Sequence, residues 1–204
     1  MSEAVATPAE AFETPLTPES WGKLGMWIFL AGDAMSFGTL LAGYGAVRFG
    51  SIDWPNPQEI LGIEISGVMT FILILSSVAM VKGLSAARHD DLAGFRKWIG
   101  LTVVGGVVFL FGQLVIEWPH FLHKGLGFTS NPWGSSLFGT TFYIITGFHG
   151  MHVTGGVIYL LCILLSGWHG RYSSHNYNPV EIAGLYWHFV DLVWIMVFTF
   201  IYML

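Results

Sequence analysis

The residues with the most chemical potential in this chain are ionisable groups set in apolar sequence: Asp33, His149, His152, His188 and Asp191. Charge inside a membrane span is costly, so each such group needs a partner, a watery crevice or a function. His149 and His152, in Gly147-Phe148-His149-Gly150-Met151-His152, lie three residues apart and share one face of a helix. His188 and Asp191 repeat that spacing in Tyr186-Trp187-His188-Phe189-Val190-Asp191-Leu192-Val193-Trp194. Imidazole and carboxylate together suit zinc, iron or copper, so these four groups form a conceivable metal set. Histidines at this spacing in a glycine-rich helix more often serve packing, hydrogen bonding or contacts with polar ligands, and no metal site is assigned. Trp187, Asp191 and Trp194 fall on one stripe, which indicates a packed interior face where His188 and Asp191 satisfy each other or a partner helix. Asp33 lies nine residues into the first apolar stretch. At 1.5 Å per residue it is roughly 13 Å deep, near the centre of a bilayer. Two readings stand for it: a proton-exchanging or gating acid, or an acid that ties helices together.

Other polar groups carry weaker signals. Glu64 opens one apolar stretch and Glu117 closes the next, so both are expected near an interface, where water or headgroups are in reach. Gln113, one turn before Glu117, is placed to share its hydrogen bonds. His120, His123, His169 and His175 fall in loops and need no function. There is no phosphate-cradling glycine loop. No serine has a convincing base partner, and the single Cys162 excludes an internal disulfide.

These residues must be positioned by membrane helices. The chain has 204 residues, 53% hydrophobic and only 10% charged, with mean hydropathy +0.62. Soluble domains carry nearer a quarter charged residues, so the fold class is all-α, a polytopic membrane helix bundle. Five apolar stretches, about 24–47, 60–84, 98–118, 137–165 and 179–202, each meet the roughly 20-residue requirement for a transmembrane helix. Trp54-Pro55-Asn56-Pro57 and Asn131-Pro132-Trp133-Gly134 mark breaks between them. Residues 1–22 are polar and proline-containing and are expected to form a flexible cytoplasmic tail ahead of a domain over 23–204. No basic segment or cleavage site precedes the first stretch, so that stretch is expected to be retained as an anchor.

Lys23, Lys82, Arg88, Arg96, Lys97 and Arg171 share one side of the membrane, and Arg48 and Lys124 the other. The positive-inside rule then puts the N-terminus in the cytoplasm and the C-terminus outside. The net charge of -5 argues against nucleic acid as a partner. Small residues recur every fourth position, at Ala34, Gly38, Ala42 and Ala46 and at Thr146, Gly150 and Thr154. Such ridges let helices approach closely, either within this bundle or against a partner subunit.

The stretches Gly25-Met26-Trp27-Ile28-Phe29-Leu30-Ala31-Gly32-Asp33, Thr146-Gly147-Phe148-His149-Gly150-Met151-His152-Val153 and Tyr186 to Trp194 occur in the order and spacing of one family. Through them the chain resembles subunit III of the haem–copper oxidases, the cytochrome c and quinol oxidases, from about Trp21 to its C-terminus. The resemblance implies the short five-helix form found among bacterial members, in a bacterial cell membrane. It implies that this chain holds no redox centre, with haem and copper in partner subunits. The partners implied are subunit I by direct contact, subunit II, and subunit IV where a complex has one. The resemblance further implies bound phospholipid in a cleft between helix groups and a role in sustaining proton uptake. His149 and His152 match paired histidines that lie near lipid in the family. Asp33 stands where many members have a buried glutamate reactive towards a carbodiimide, here one methylene shorter. The family's usual spacing between Gln113 and Glu117 is one residue shorter. Two other readings remain: a similar subunit of a nitric oxide reductase, and a standalone membrane metalloenzyme built on His149, His152, His188 and Asp191.

Overall fold

The computed structural model describes residues 21–61 and 63–204. Among them there is no strand. The chain runs α1 (Trp21–Gly50), α2 (Pro57–Leu61), α3 (Ile63–Arg88), α4 (Leu92–Phe111), a π-helical segment (Gly112–Glu117), α5 (Trp118–His123), α6 (Ser136–Gly167), α7 (Asn178–Val197) and a second π-helical segment (Phe198–Met203). Five of these units are long and apolar enough to cross a membrane: Trp21–Gly50, Ile63–Arg88, Leu92–His123, Ser136–Gly167 and Asn178–Met203. In lipid a backbone must satisfy its own hydrogen bonds, which is why the apolar stretches become helical. The tail expected over 1–22 lies outside the described residues except for Trp21 and Gly22, which are already helical.

The helices overrun the apolar stretches at their ends. The third span begins at Leu92, six residues before Trp98, because Asp91 caps it by accepting a hydrogen bond from the Gly94 amide at 2.9 Å. The charges in that first turn and a half remain at the surface. The Lys82 and Lys97 ammonium groups sit 4.4 and 5.2 Å from the Trp98 ring centroid.

Helices α3, α4, α6 and α7 form the core bundle, and α1 leans on the outside against α6 and α7. Two tryptophans of α7 lock that core. Trp187 is 1% exposed and lies between Gly106 of α4 and Gly156 of α6. A methyl group built on Gly106 would come within 2.5 Å of the Trp187 ring. The Trp187 indole donates to the Ser76 hydroxyl of α3 at 3.0 Å. Seven residues on, Trp194 donates to the Thr70 hydroxyl of α3 at 2.9 Å and packs on Phe109 of α4, with ring centroids 4.7 Å apart. Interhelical hydrogen bonds in lipid contribute only about 0.6 kcal/mol each, so close packing of these rings supplies most of the hold.

The two ridges of small residues part company. On α6, Thr146 and Gly150 are buried in the bundle while Thr154 is exposed. On α1, Ala34, Gly38, Ala42 and Ala46 all face outward, and the buried stripe is Leu30, Phe37 and Tyr44.

Both faces of the bundle are fastened. At one, Lys23 and Arg88 pair with Glu181 at 3.1 and 3.3 Å, and the Arg96 guanidinium donates to the Trp168 carbonyl. At the other, Arg48 donates to the Leu204 carbonyl and Gln58 to the Met203 carbonyl.

Candidate functional site

Asp33 is positioned by the middle of α1, just over one turn from the buried Phe37. Its Oδ2 lies 3.2 Å from Nε2 of His152 on α6, within ion-pair range but outside good hydrogen-bond alignment. Both side chains are 15% exposed. The other ring nitrogen, Nδ1 of His152, donates to the Phe148 carbonyl at 2.8 Å. A carbonyl only accepts, so Nδ1 must carry a proton. Nε2 is the ring nitrogen that faces the Asp33 carboxyl. Phe37 meets the His152 ring edge-on with centroids 5.2 Å apart, and the Tyr186 hydroxyl of α7 donates to the His152 carbonyl at 2.9 Å. Three helices thus meet around the Asp33–His152 contact.

His149 takes a different environment, although it shares a helix face with His152. It is fully buried among Phe109, Trp194 and Phe37, with the Trp194 centroid 4.9 Å away. Neither ring nitrogen makes a hydrogen bond. His188 lies half-buried in a groove between α1 and α7, beside Trp27, Leu30, Ala34 and Phe189. Asp191 is 7% exposed and faces Ser77 of α3. No hydrogen bond joins His188 to Asp191, because the two side chains are offset around α7 and look into different neighbours. His149, His152, His188 and Asp191 do not converge, and among the described residues no three His, Cys, Asp or Glu side chains group as metal ligands. Trp187 and Trp194 are the locking rings of the core, and Asp191 shares their stripe.

Glu117 corrects an expectation. It is not an interfacial carboxylate in free reach of water but only 3% exposed, accepting from the Ser66 hydroxyl with Tyr202 beside it. Gln113 does not share hydrogen bonds with it; its amide donates to the Thr146 carbonyl at 3.1 Å. The cause is the π-helical segment Gly112–Glu117, where the Trp118 amide bonds to the Gln113 carbonyl five residues back. A π turn widens the helix locally and so changes the directions of Gln113 and Glu117 relative to each other. Glu64 stays exposed.

The hydroxyl residues of α3 were not singled out by sequence. Ser66, Thr70 and Ser76 bond Glu117, Trp194 and Trp187. Their signal is a spacing of four and then six residues along an apolar helix, which resembles ordinary serine and threonine tolerance in lipid.

The α1–α7 groove, a cavity of about 400 Å³, is apolar apart from His188 and fits an acyl chain, the one implied non-protein group for which this face has the chemistry.

Comparison with known proteins gives the chain its family. The chain is 40% identical over 202 residues to cytochrome c oxidase subunit 3 of Synechocystis sp., covering 97% of this chain and 82% of that one. It is 36% identical over 182 residues to cytochrome c oxidase subunit 3 of Thermostichus vulcanus, covering 89% and 86%. It is 34% identical over 206 residues to the probable cytochrome c oxidase subunit 3 of Mycobacterium tuberculosis, covering 99% and 98%. Residues 22–204 match the family described as Cytochrome c oxidase subunit III. The chain therefore belongs to the cytochrome c oxidase subunit III family, accessory subunits of the haem–copper oxidases.

Proposed function

We propose that this multi-pass membrane chain works as the non-redox subunit III of a bacterial terminal oxidase, and that the Asp33–His152 pair is its functional element. The observation that carries this reading is the 3.2 Å contact between Asp33 on α1 and His152 on α6. An acid–imidazole contact in a low-dielectric site holds α1 to the core, so removing either side chain loosens that helix. Electron transfer to oxygen and proton pumping belong to the partner subunits. This chain supports proton uptake, lipid binding and durability of the complex. The names of the relatives favour an oxidase over a nitric oxide reductase partner. The dispersed positions of His149, His152, His188 and Asp191 weigh against a standalone metalloenzyme.

Subunit I is the partner we assign to the outward ridge of α1, where Gly38 has open space on its outer side. Only 11% of the α1 apolar window is buried within this chain, against 39–44% for the other four spans. Subunit II and, where present, subunit IV complete the complex. The N-terminus is cytoplasmic and the C-terminus outside. Phospholipid occupies the α1–α7 groove beside His188 and Trp27.

The test is Asp33→Ala in the assembled oxidase. The expected outcome is a complex of unchanged subunit composition and initial rate whose activity decays faster during turnover. His152→Gln is expected to behave alike, and combining the two to add little, because both remove one contact. A turnover lifetime equal to wild type in both variants would make the pair purely structural.

A further inference from the structure

The end of the bundle at which α1 starts holds more cations than its own acids can pair. Every described acid there already has a partner. Asp90 accepts from the Ser174 amide, Asp91 caps α4 through the Gly94 amide, and Glu181 binds Lys23 and Arg88. The other described acids, Asp33, Asp53, Glu59, Glu64, Glu117 and Asp191, lie within the spans or at the opposite end. Among the cations, Arg96 is taken by the Trp168 carbonyl. Lys82 of α3 and Lys97 of α4 are exposed, and both ammonium groups sit by one Trp98 ring, at 4.4 and 5.2 Å from its centroid. No carboxylate lies between them among the described residues. Arg171, in the loop between α6 and α7, is exposed and makes no ion pair among the described residues. Like charges gathered in this way repel unless an anion covers them.

The missing anions are in the chain itself. Residues 1–20 contain Glu3, Glu10, Glu13 and Glu19 and no Lys, Arg or His. These four glutamates are the only acids the chain has left for that end of the bundle. The segment is rooted beside the basic face: it joins α1 at Trp21, and two residues on Lys23 meets Glu181, which also holds Arg88 at the end of α3. Glu13 is eight residues from Trp21, about 26 Å of extended chain. Packed helix axes lie about 8–10 Å apart, so Glu13 and Glu10 reach across α3 to α4.

We propose that the acidic N-terminal segment of this chain docks across the Lys82–Trp98–Lys97 face, with its glutamates on Lys82, Lys97 and Arg171. Tethering gives the segment an effective concentration in the millimolar range at that face. Three exposed ion pairs of ordinary strength together give roughly a tenfold preference for the docked form at low salt. The contact involves neither Asp33 nor His152, and it does not depend on which end of the bundle faces the cytoplasm.

The purified complex is exposed to a glutamate-specific endoprotease, and cleavage at Glu10 and Glu13 is followed by mass spectrometry. The reaction is run at about 10 mM and about 1 M salt, between which the screening length falls from about 30 to about 3 Å. Wild type is expected to be cleaved roughly tenfold more slowly at low salt. The combined variant Lys82→Gln and Lys97→Gln, at two exposed positions, is expected to lose most of that salt dependence. Untreated wild type is also reacted with a water-soluble carbodiimide, which joins a carboxylate to an amine in contact with it. Amide links from Glu10 or Glu13 to Lys82 or Lys97 are expected at low salt and not at high salt. The same salt dependence in wild type and the double variant overturns the proposal. So do links from Glu10 and Glu13 that run only to another subunit, or no link to Lys82 or Lys97. Protection that persists in phosphatidylcholine nanodiscs but vanishes when phosphatidylglycerol is added also overturns it, because anionic headgroups then cover these cations instead.

Discussion

At the scale of single residues, the environments of like groups differ more than their types. His149 and His152 are one turn apart, yet one is an unpartnered ring in an aromatic cage and the other lies 3.2 Å from Asp33. Asp33 and Asp191 are both acids in lipid, and only Asp33 finds a histidine. Asp90, outside the spans, is a third case. Its φ of 58° is left-handed, a conformation that aspartate tolerates better than branched residues. Its Oδ1 accepts from the Ser174 amide at 2.8 Å. That hydrogen bond, with His175 and His89 nearby, holds the Asp90 carboxyl below its ordinary value of 3.8. A carboxyl lowered on folding contributes at pH above the ordinary value, and the contribution fades as pH falls through the lowered one. Protection of the Ser174 amide in hydrogen exchange is therefore expected to be constant at neutral pH and to fall below pH 3.8. Asp90→Ala is expected to lack that protection at every pH.

At the scale of elements, glycines divide by what they face. Gly106 of α4 lies against Trp187 and Val157, so an added methyl has nowhere to go. Gly106→Ala is expected to destabilise the bundle by about 1–3 kcal/mol, read as a lower melting temperature in detergent. Gly38 of α1 has open space, so Gly38→Leu is expected to leave the isolated chain's melting unchanged. It is also expected to weaken co-purification with subunit I, because it blunts the outward ridge. The π-helical segment Gly112–Glu117 belongs to this scale too: it re-aims Gln113 towards α6 and leaves Glu117 towards Ser66.

At the scale of the whole molecule, the Lys and Arg distribution matches the two polar faces of the bundle. Lys23, Arg88 and Glu181 cluster at one face, with Arg48 and Lys124 at the other. With Lys23 on the cytoplasmic side, a single cysteine at Ile52, in a Cys162→Ser background, is expected to react with a membrane-impermeant maleimide in intact cells. One at His89 is expected to react only after permeabilisation. Ile52 is 100% exposed, so its labelling depends on sidedness alone. The reversed pattern would place the N-terminus outside.

The sequence by itself determined the five spans, their breaks and the family, because lipid imposes a length and an apolarity that are written residue by residue. It also marked Asp33, His152, Trp187 and Trp194, because polar or bulky groups in apolar helix stand out against a uniform background. It did not determine which acid meets which histidine. His152 is a neighbour of His149 in sequence and of Asp33 only in space, and the choice follows from how α1 rotates to bury Leu30, Phe37 and Tyr44. The outward turn of the α1 ridge, the burial of Glu117 by a π turn and the pairing of α3 hydroxyls with α7 indoles are likewise tertiary. Each depends on the rotation of one helix about its axis, and apolar spans facing both lipid and protein leave that rotation unmarked in their residue pattern.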